Sequence, residues 1–170
     1  MGFCQKFKVP LVLCDEIFYL EDTRTFDAGQ PIDEGATVSG TVTLNVTECD
    51  IVVVDNLITA NLEITVQKEL TVNQEDPFEL EFMYHINQTV TFRGCTAADL
   101  PPTVSPEDLQ CQILRLEFDE TVTTDPEADT ITDELTILVK IKVEAIQQVF
   151  LSLCPPNLTA TVTFPVNATP

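Results

Sequence analysis

From Ile131 to Pro156 the chain reads ITDELTILVKIKVEAIQQVFLSLCPP, with Ile131, Leu135, Ile137, Val139, Ile141 and Val143 all on the odd positions of a period-two pattern. Thr132, Glu134, Thr136, Lys140 and Lys142 stand between them. A period of two places one set on a buried face and the other in water, the pattern of a half-buried β-strand. Cys154 and the Pro155–Pro156 pair then end the run and leave a thiol at its edge.

The alternation recurs along most of the chain. Val38, Val42, Leu44 and Val46 alternate with Thr and Ser, and the apolar run Ile51–Val54 follows. Leu62, Ile64, Val66, Leu70 and Val72 form another series, as do Phe78, Leu80, Phe82, Tyr84, Ile86, Val90 and Phe92. Leu114, Leu116, Phe118 and Val122 form a further one, and Val162, Phe164 and Val166 a short last one. Thr occupies most outward positions, as its β-propensity favours. About eight strands with one wet face each predict antiparallel pairing, and two such sheets face to face make an all-β sandwich. Residues 34–170 are expected to form that sandwich. Residues 1–33 carry Phe3, Phe7, Phe18, Tyr19 and Phe26 without sustained alternation. They read as an N-terminal arm that covers its own sheet edge or completes the sheet of a neighbouring subunit. Residues 93–112 read as a long loop, with one short turn capped by Ser105 ahead of Pro106.

A length of 170 residues suits one domain with a sizeable core. Twenty-eight acidic residues against eight basic give a formal charge of −20. Such a surface repels phosphate backbones and anionic membranes, which argues against nucleic-acid partners. No apolar stretch reaches the length of about 18 residues that a helical membrane span needs. Pro10 and Asp15–Glu16 interrupt the N-terminal apolar run, so it does not read as a signal peptide.

Six cysteines, at positions 4, 14, 49, 95, 111 and 154, include no C-x-x-C pair, and His85 is the sole histidine. A structural zinc site is therefore not expected, whereas an even count fits an oxidising destination. Cys95 and Cys111 bracket the long loop and could close it, a crosslink worth about 3 kcal/mol. Cys4, Cys14 and Cys154 are placed to reach another chain; the alternative is that all six, Cys49 included, are buried thiols or intrachain bridges. The acids Asp125, Glu127 and Asp129 alternate as in some calcium loops but lack the glycine and terminal glutamate of an EF-hand. They are the calcium candidates; the other reading is a solvated turn. Nothing assembles a nucleophile: Ser39, Ser105 and Ser152 lie in no G-x-S-x-G elbow. His85 sits at an outward strand position. No catalytic residue and no cofactor are expected. Asn45, Asn87, Asn157 and Asn167 open N-x-T triplets, read as exposed strand positions.

Three segments, GATVSGTVTLNV (35–46), EDPFELEF (75–82) and LTILVKIKVEAIQQVFLSLCP (135–155), resemble the SPOCS-type domain of spore-coat and related spore-envelope proteins. The likeness covers roughly residues 34–156 and includes no peptidoglycan-binding LysM module. It implies assembly on a spore surface, with synthesis in the mother-cell cytoplasm and later oxidation. A Cys-bearing arm ahead of a small sandwich also resembles, in architecture, subunits of crosslinked spore appendages. The expected function is thus a structural subunit, extracellular on a cell or spore surface. Its partners would be copies of itself and other spore-envelope proteins. The alternative is an acidic, calcium-dependent adhesive module built on the Asp125–Glu134 turn.

Overall fold

The computed structural model describes the backbone from residue 3 to 153 and the side chains of residues 8–146. Among the described residues the chain forms β1 (Phe3–Asp27), β2 (Thr37–Val54), β3 (Leu57–Asn73), β4 (Phe78–Thr96), β5 (Leu109–Asp125) and β6 (Thr130–Leu153). They make two antiparallel three-stranded sheets, ordered β1–β6–β5 and β2–β3–β4. The sheets face each other as the expected sandwich. β1 lies against β4 and β2 against β5, and the side chains of the two central strands, β3 and β6, share the core between them. The last alternating run, Val162 to Val166, lies outside the described residues.

Alternation on the central strands builds the core. Ile58, Ala60, Leu62, Ile64, Val66, Leu70 and Val72 of β3 are buried, opposite Ile131, Leu135, Ile137, Val139, Ile141, Val143 and Ala145 of β6. Each large apolar side chain so buried contributes roughly 1.5–3 kcal/mol relative to exposure. Asp55 and Asn56, with φ of 49° and 68°, form the two-residue turn between β2 and β3. Two positive φ values match the strand twist, and Asn and Asp tolerate them best after Gly.

The arm expected at residues 1–33 is built into the sandwich. β1 pairs with β6 over its whole length, from Phe3↔Leu153 to Asp27↔Thr130. Leu20 is buried in the core, Phe18 packs edge-on against Phe92 and Phe26 stacks on Phe82. Of the two readings of this segment, the structure has it covering its own sheet. Its alternation is hidden by a bulge. The register slips between Val12 and Cys14, so inward positions change from odd (Leu11, Leu13) to even (Cys14, Phe18, Leu20).

The same device explains two other irregular patterns. In β2 a slip between Val46 and Glu48 changes the inward set from Val42, Leu44 and Val46 to Cys49, Ile51 and Val53. The series at 38–46 and the run at 51–54 are therefore one strand. In β5 a slip between Ile113 and Arg115 leaves Leu114 exposed, although the alternation counted it inward. Bulges of this kind concentrate at sheet edges, where they bend the strand and increase its twist.

Candidate functional site

Three of the alternating series skip one inward position each, at Lys68, Glu120 and Asp133. These residues sit on β3, β5 and β6, and the fold brings them together. Lys68 is fully buried, Asp133 is 1% exposed and Glu120 19% exposed. The Lys68 ammonium contacts Asp133 Oδ2 directly and donates to Glu120 Oε1 at 2.7 Å. Tyr84 of β4 donates its hydroxyl to Asp133 Oδ2 at 3.3 Å. Arg24 lies over the Tyr84 ring, 4.0 Å from its centroid, and reaches the His85 carbonyl oxygen at 3.1 Å. The Tyr84 phenol is pushed well above its ordinary range, first by burial and then by the negative charge of Asp133.

Asp133 Oδ1 is buried and has no hydrogen-bond partner. One cation thus faces two carboxylates in the middle of an apolar core. The cluster also separates the main core from a smaller one made by Ala28, Ile32, Val72, Phe78 and Ile131. Buried charges are destabilising unless fully paired, so the arrangement calls for a purpose. Sequence reasoning gave none of the three a place in the core. The signal was present: a charge at the inward phase of an otherwise apolar series.

Covalent links occupy both lateral edges of the sandwich. Cys14 of β1 is bonded to Cys95 of β4, and Cys49 of β2 to Cys111 of β5. The Cα separations, 6.0 and 5.8 Å, are ordinary for disulfides. Cys14 and Cys111 both pair with Val143 of β6, so a single row across one sheet anchors both bridges. The expected Cys95–Cys111 loop closure is not formed, because these residues lie on opposite edges. Two strand spacings, about 10 Å, exceed the reach of a disulfide. Cys14 is likewise not a thiol placed to reach another chain. Beside its bridge, Glu16 accepts from the backbone N–H groups of Arg93 (2.8 Å) and Gly94 (3.3 Å), a second tie between β1 and β4.

Beyond Leu11, toward the N-terminus, β1 runs on with β6 as a two-stranded ribbon. β5 begins at Leu109, opposite Ala145, whereas β1–β6 pairing continues to Phe3↔Leu153. Ile146 to Leu153 therefore has a strand neighbour on one side only among the described residues. Val9 and Ile146 on this ribbon, and Val12 at its base, are exposed apolar side chains. Cys4 pairs in register with Ser152 at its far end. The Cys4 side chain, and Cys154 altogether, lie outside the described residues.

The calcium candidates have another role. Asp125 Oδ1 accepts from the N–H groups of Glu127 (3.0 Å) and Ala128 (3.2 Å), closing the β5–β6 turn. Asp129, at φ 53°, accepts from the Ile32 N–H at 2.9 Å and so holds the β1–β2 connection. Among the described residues no group of three or more His, Cys, Asp or Glu converges as a metal site. The Asp125 and Asp129 contacts are those of a closed turn, the second reading of DPEAD. His85 is exposed, with Thr65 Oγ1 3.1 Å from Nδ1. Asn45 and Asn87 are exposed on strands; Asn157 and Asn167 lie outside the described residues.

No family model matches the chain, and no curated protein or solved structure matches it significantly.

Proposed function

We propose that the protein is a structural subunit that self-assembles into a surface layer or fibre, extracellular and on a spore envelope, with copies of itself as partners. The observation that carries this reading is the β1–β6 ribbon. A two-stranded ribbon with no further strand neighbour on either flank among the described residues is a template for strand addition. A second copy adding a strand there would make a heterologous contact, which propagates into open filaments unless the rotation closes. The sandwich behind the ribbon, bridged at both edges, suits a part that transmits load. The SPOCS-type resemblance points to the same setting.

Charge sets the terms of assembly. Copies carrying −20 each repel one another, and screening at physiological salt acts beyond about 8 Å. The contact must therefore be apolar, cation-bridged or covalent at close range. Val9, Val12 and Ile146 supply apolar surface, and Cys4 and Cys154 are the cysteines outside the two described bridges. Assembly is expected to strengthen with salt and to yield reductant-sensitive multimers, which the Cys4→Ser/Cys154→Ser double variant weakens. Electron microscopy and non-reducing gels of the purified chain, with and without reductant, test this. A chain that stays monomeric at high concentration in salt would refute the proposal.

A further inference from the structure

We infer that Lys68 and Asp133 condense into an intramolecular amide, an isopeptide bond between the central strands of the two sheets, with Glu120 moving the protons. The reactants are already in contact: Lys68 Nζ touches the Asp133 carboxylate, and both side chains are shut off from water. Groups held this way in an intramolecular reaction reach effective molarities on the order of 10⁵–10⁸ M. The neutral amine and the carboxylic acid are the reactive forms, and one proton moved within the contacting pair yields both. Glu120 Oε1, 2.7 Å from Nζ, is within reach of general acid–base work. It is also the least buried of the three, so its side opens toward solvent.

The chemistry balances without an external reagent. A proton passes from Nζ to the Asp133 carboxylate, giving free amine and carboxylic acid. The nitrogen attacks Cγ, Glu120 accepts a proton from it and returns that proton to the departing hydroxyl. One C–N bond forms, one C–O bond breaks, one water leaves, and no atom changes oxidation state.

The product also resolves what the reactants leave unsatisfied. Loss of one Asp133 oxygen as water removes the surplus acceptor, of which Oδ1 is now the unpaired member. The remaining carbonyl oxygen accepts from Tyr84, and the new amide N–H donates to Glu120. Two buried charges disappear.

Mass spectrometry of the full chain, reduced and denatured, decides the matter. The expected mass is lower than the sequence mass by one water, about 18 Da, as condensation requires. Proteolysis should release a branched peptide joining the segments that contain Lys68 and Asp133, located by fragmentation. Glu120→Gln is expected to fold with an unchanged circular dichroism spectrum and to retain the full mass; Glu120→Asp should link more slowly. A wild-type chain of full mass, with separate Lys68 and Asp133 peptides, overturns the bond and leaves a buried ion cluster. Linkage in Glu120→Gln at the wild-type rate overturns the role of Glu120. None of these readouts depends on assembly, so the bond and the proposed function stand or fall separately.

Discussion

The central strands and the edge strands obey different rules. β3 over its length and β6 over residues 130–146 keep one alternation, and each carries one charge at its buried phase there: Lys68 and Asp133. β1, β2 and β5 each change phase at a bulge, and those bulges lie within three residues of Cys14, Cys49 and Cys111. Cys95 of β4 sits in a similar irregularity, between Thr91 and Thr96. A central strand has neighbours on both sides, so a slip would break two ladders and turn its whole buried face outward. An edge strand breaks only one. Edges can therefore bend, and the bends aim the cysteines of one sheet at those of the other.

The sharpest test of this contrast lies at the centre. Lys68→Ala leaves Asp133 buried without its cation and should lower stability by about 3–5 kcal/mol, measured by urea unfolding. Replacing the pair together, Lys68→Met with Asp133→Leu, should recover much of that loss, since apolar residues of similar volume satisfy the same space. If Lys68→Ala is no worse than a surface substitution, the centre does not depend on the cluster.

At the edges, Cys14→Ser/Cys95→Ser and Cys49→Ser/Cys111→Ser should each cost about 2–4 kcal/mol, read as a shift in unfolding midpoint. The bridges span 81 and 62 residues, so the two costs should be close to equal. Deleting Thr47 removes the phase change in β2 and turns Cys49 outward. Thiol counting under denaturing conditions should then find two cysteines beyond the wild-type number. A deletion variant that keeps the Cys49–Cys111 bridge would show that the bulge does not aim the cysteine.

Gly40 tests the close approach of an edge strand to its central neighbour. A Cβ there would collide with the Glu69 carbonyl oxygen and come within 2.8 Å of Leu70 Cα. Gly40→Ala should lower stability by about 1–3 kcal/mol, the usual cost of overpacking. A smaller effect is expected in alkali. The Tyr84 pKa is raised on folding, so its contribution is complete below the ordinary phenol value of about 10 and is lost as pH rises above it. Of the two tyrosines, Tyr84 should hold back its phenolate absorbance until the chain unfolds. Weakest of all, Arg115→Ala removes an exposed ion pair with Glu117 and should change stability by less than about 1 kcal/mol.

Much of the fold was legible because half-buried antiparallel strands must alternate, and long stretches of this chain do. The inward faces of β3 and β6 could be read residue by residue. The β1 segment could not, because the slip after Val12 breaks its pattern and makes a strand resemble an arm. Leu114 was misread for the same reason. The candidate site was half legible: Lys68, Glu120 and Asp133 are visible as gaps in three separate series, but nothing local says that the gaps coincide.

The sequence by itself therefore determined the strand character, the two-faced sheets and the acidic exterior, since each follows from the period and kind of neighbouring side chains. Tertiary structure alone decided which cysteines meet, which carboxylate finds Lys68, and that residues 3–27 belong to the first sheet. Those are pairings between strands distant in the chain. They depend on sheet order and on bulges, for which the local pattern carries no address.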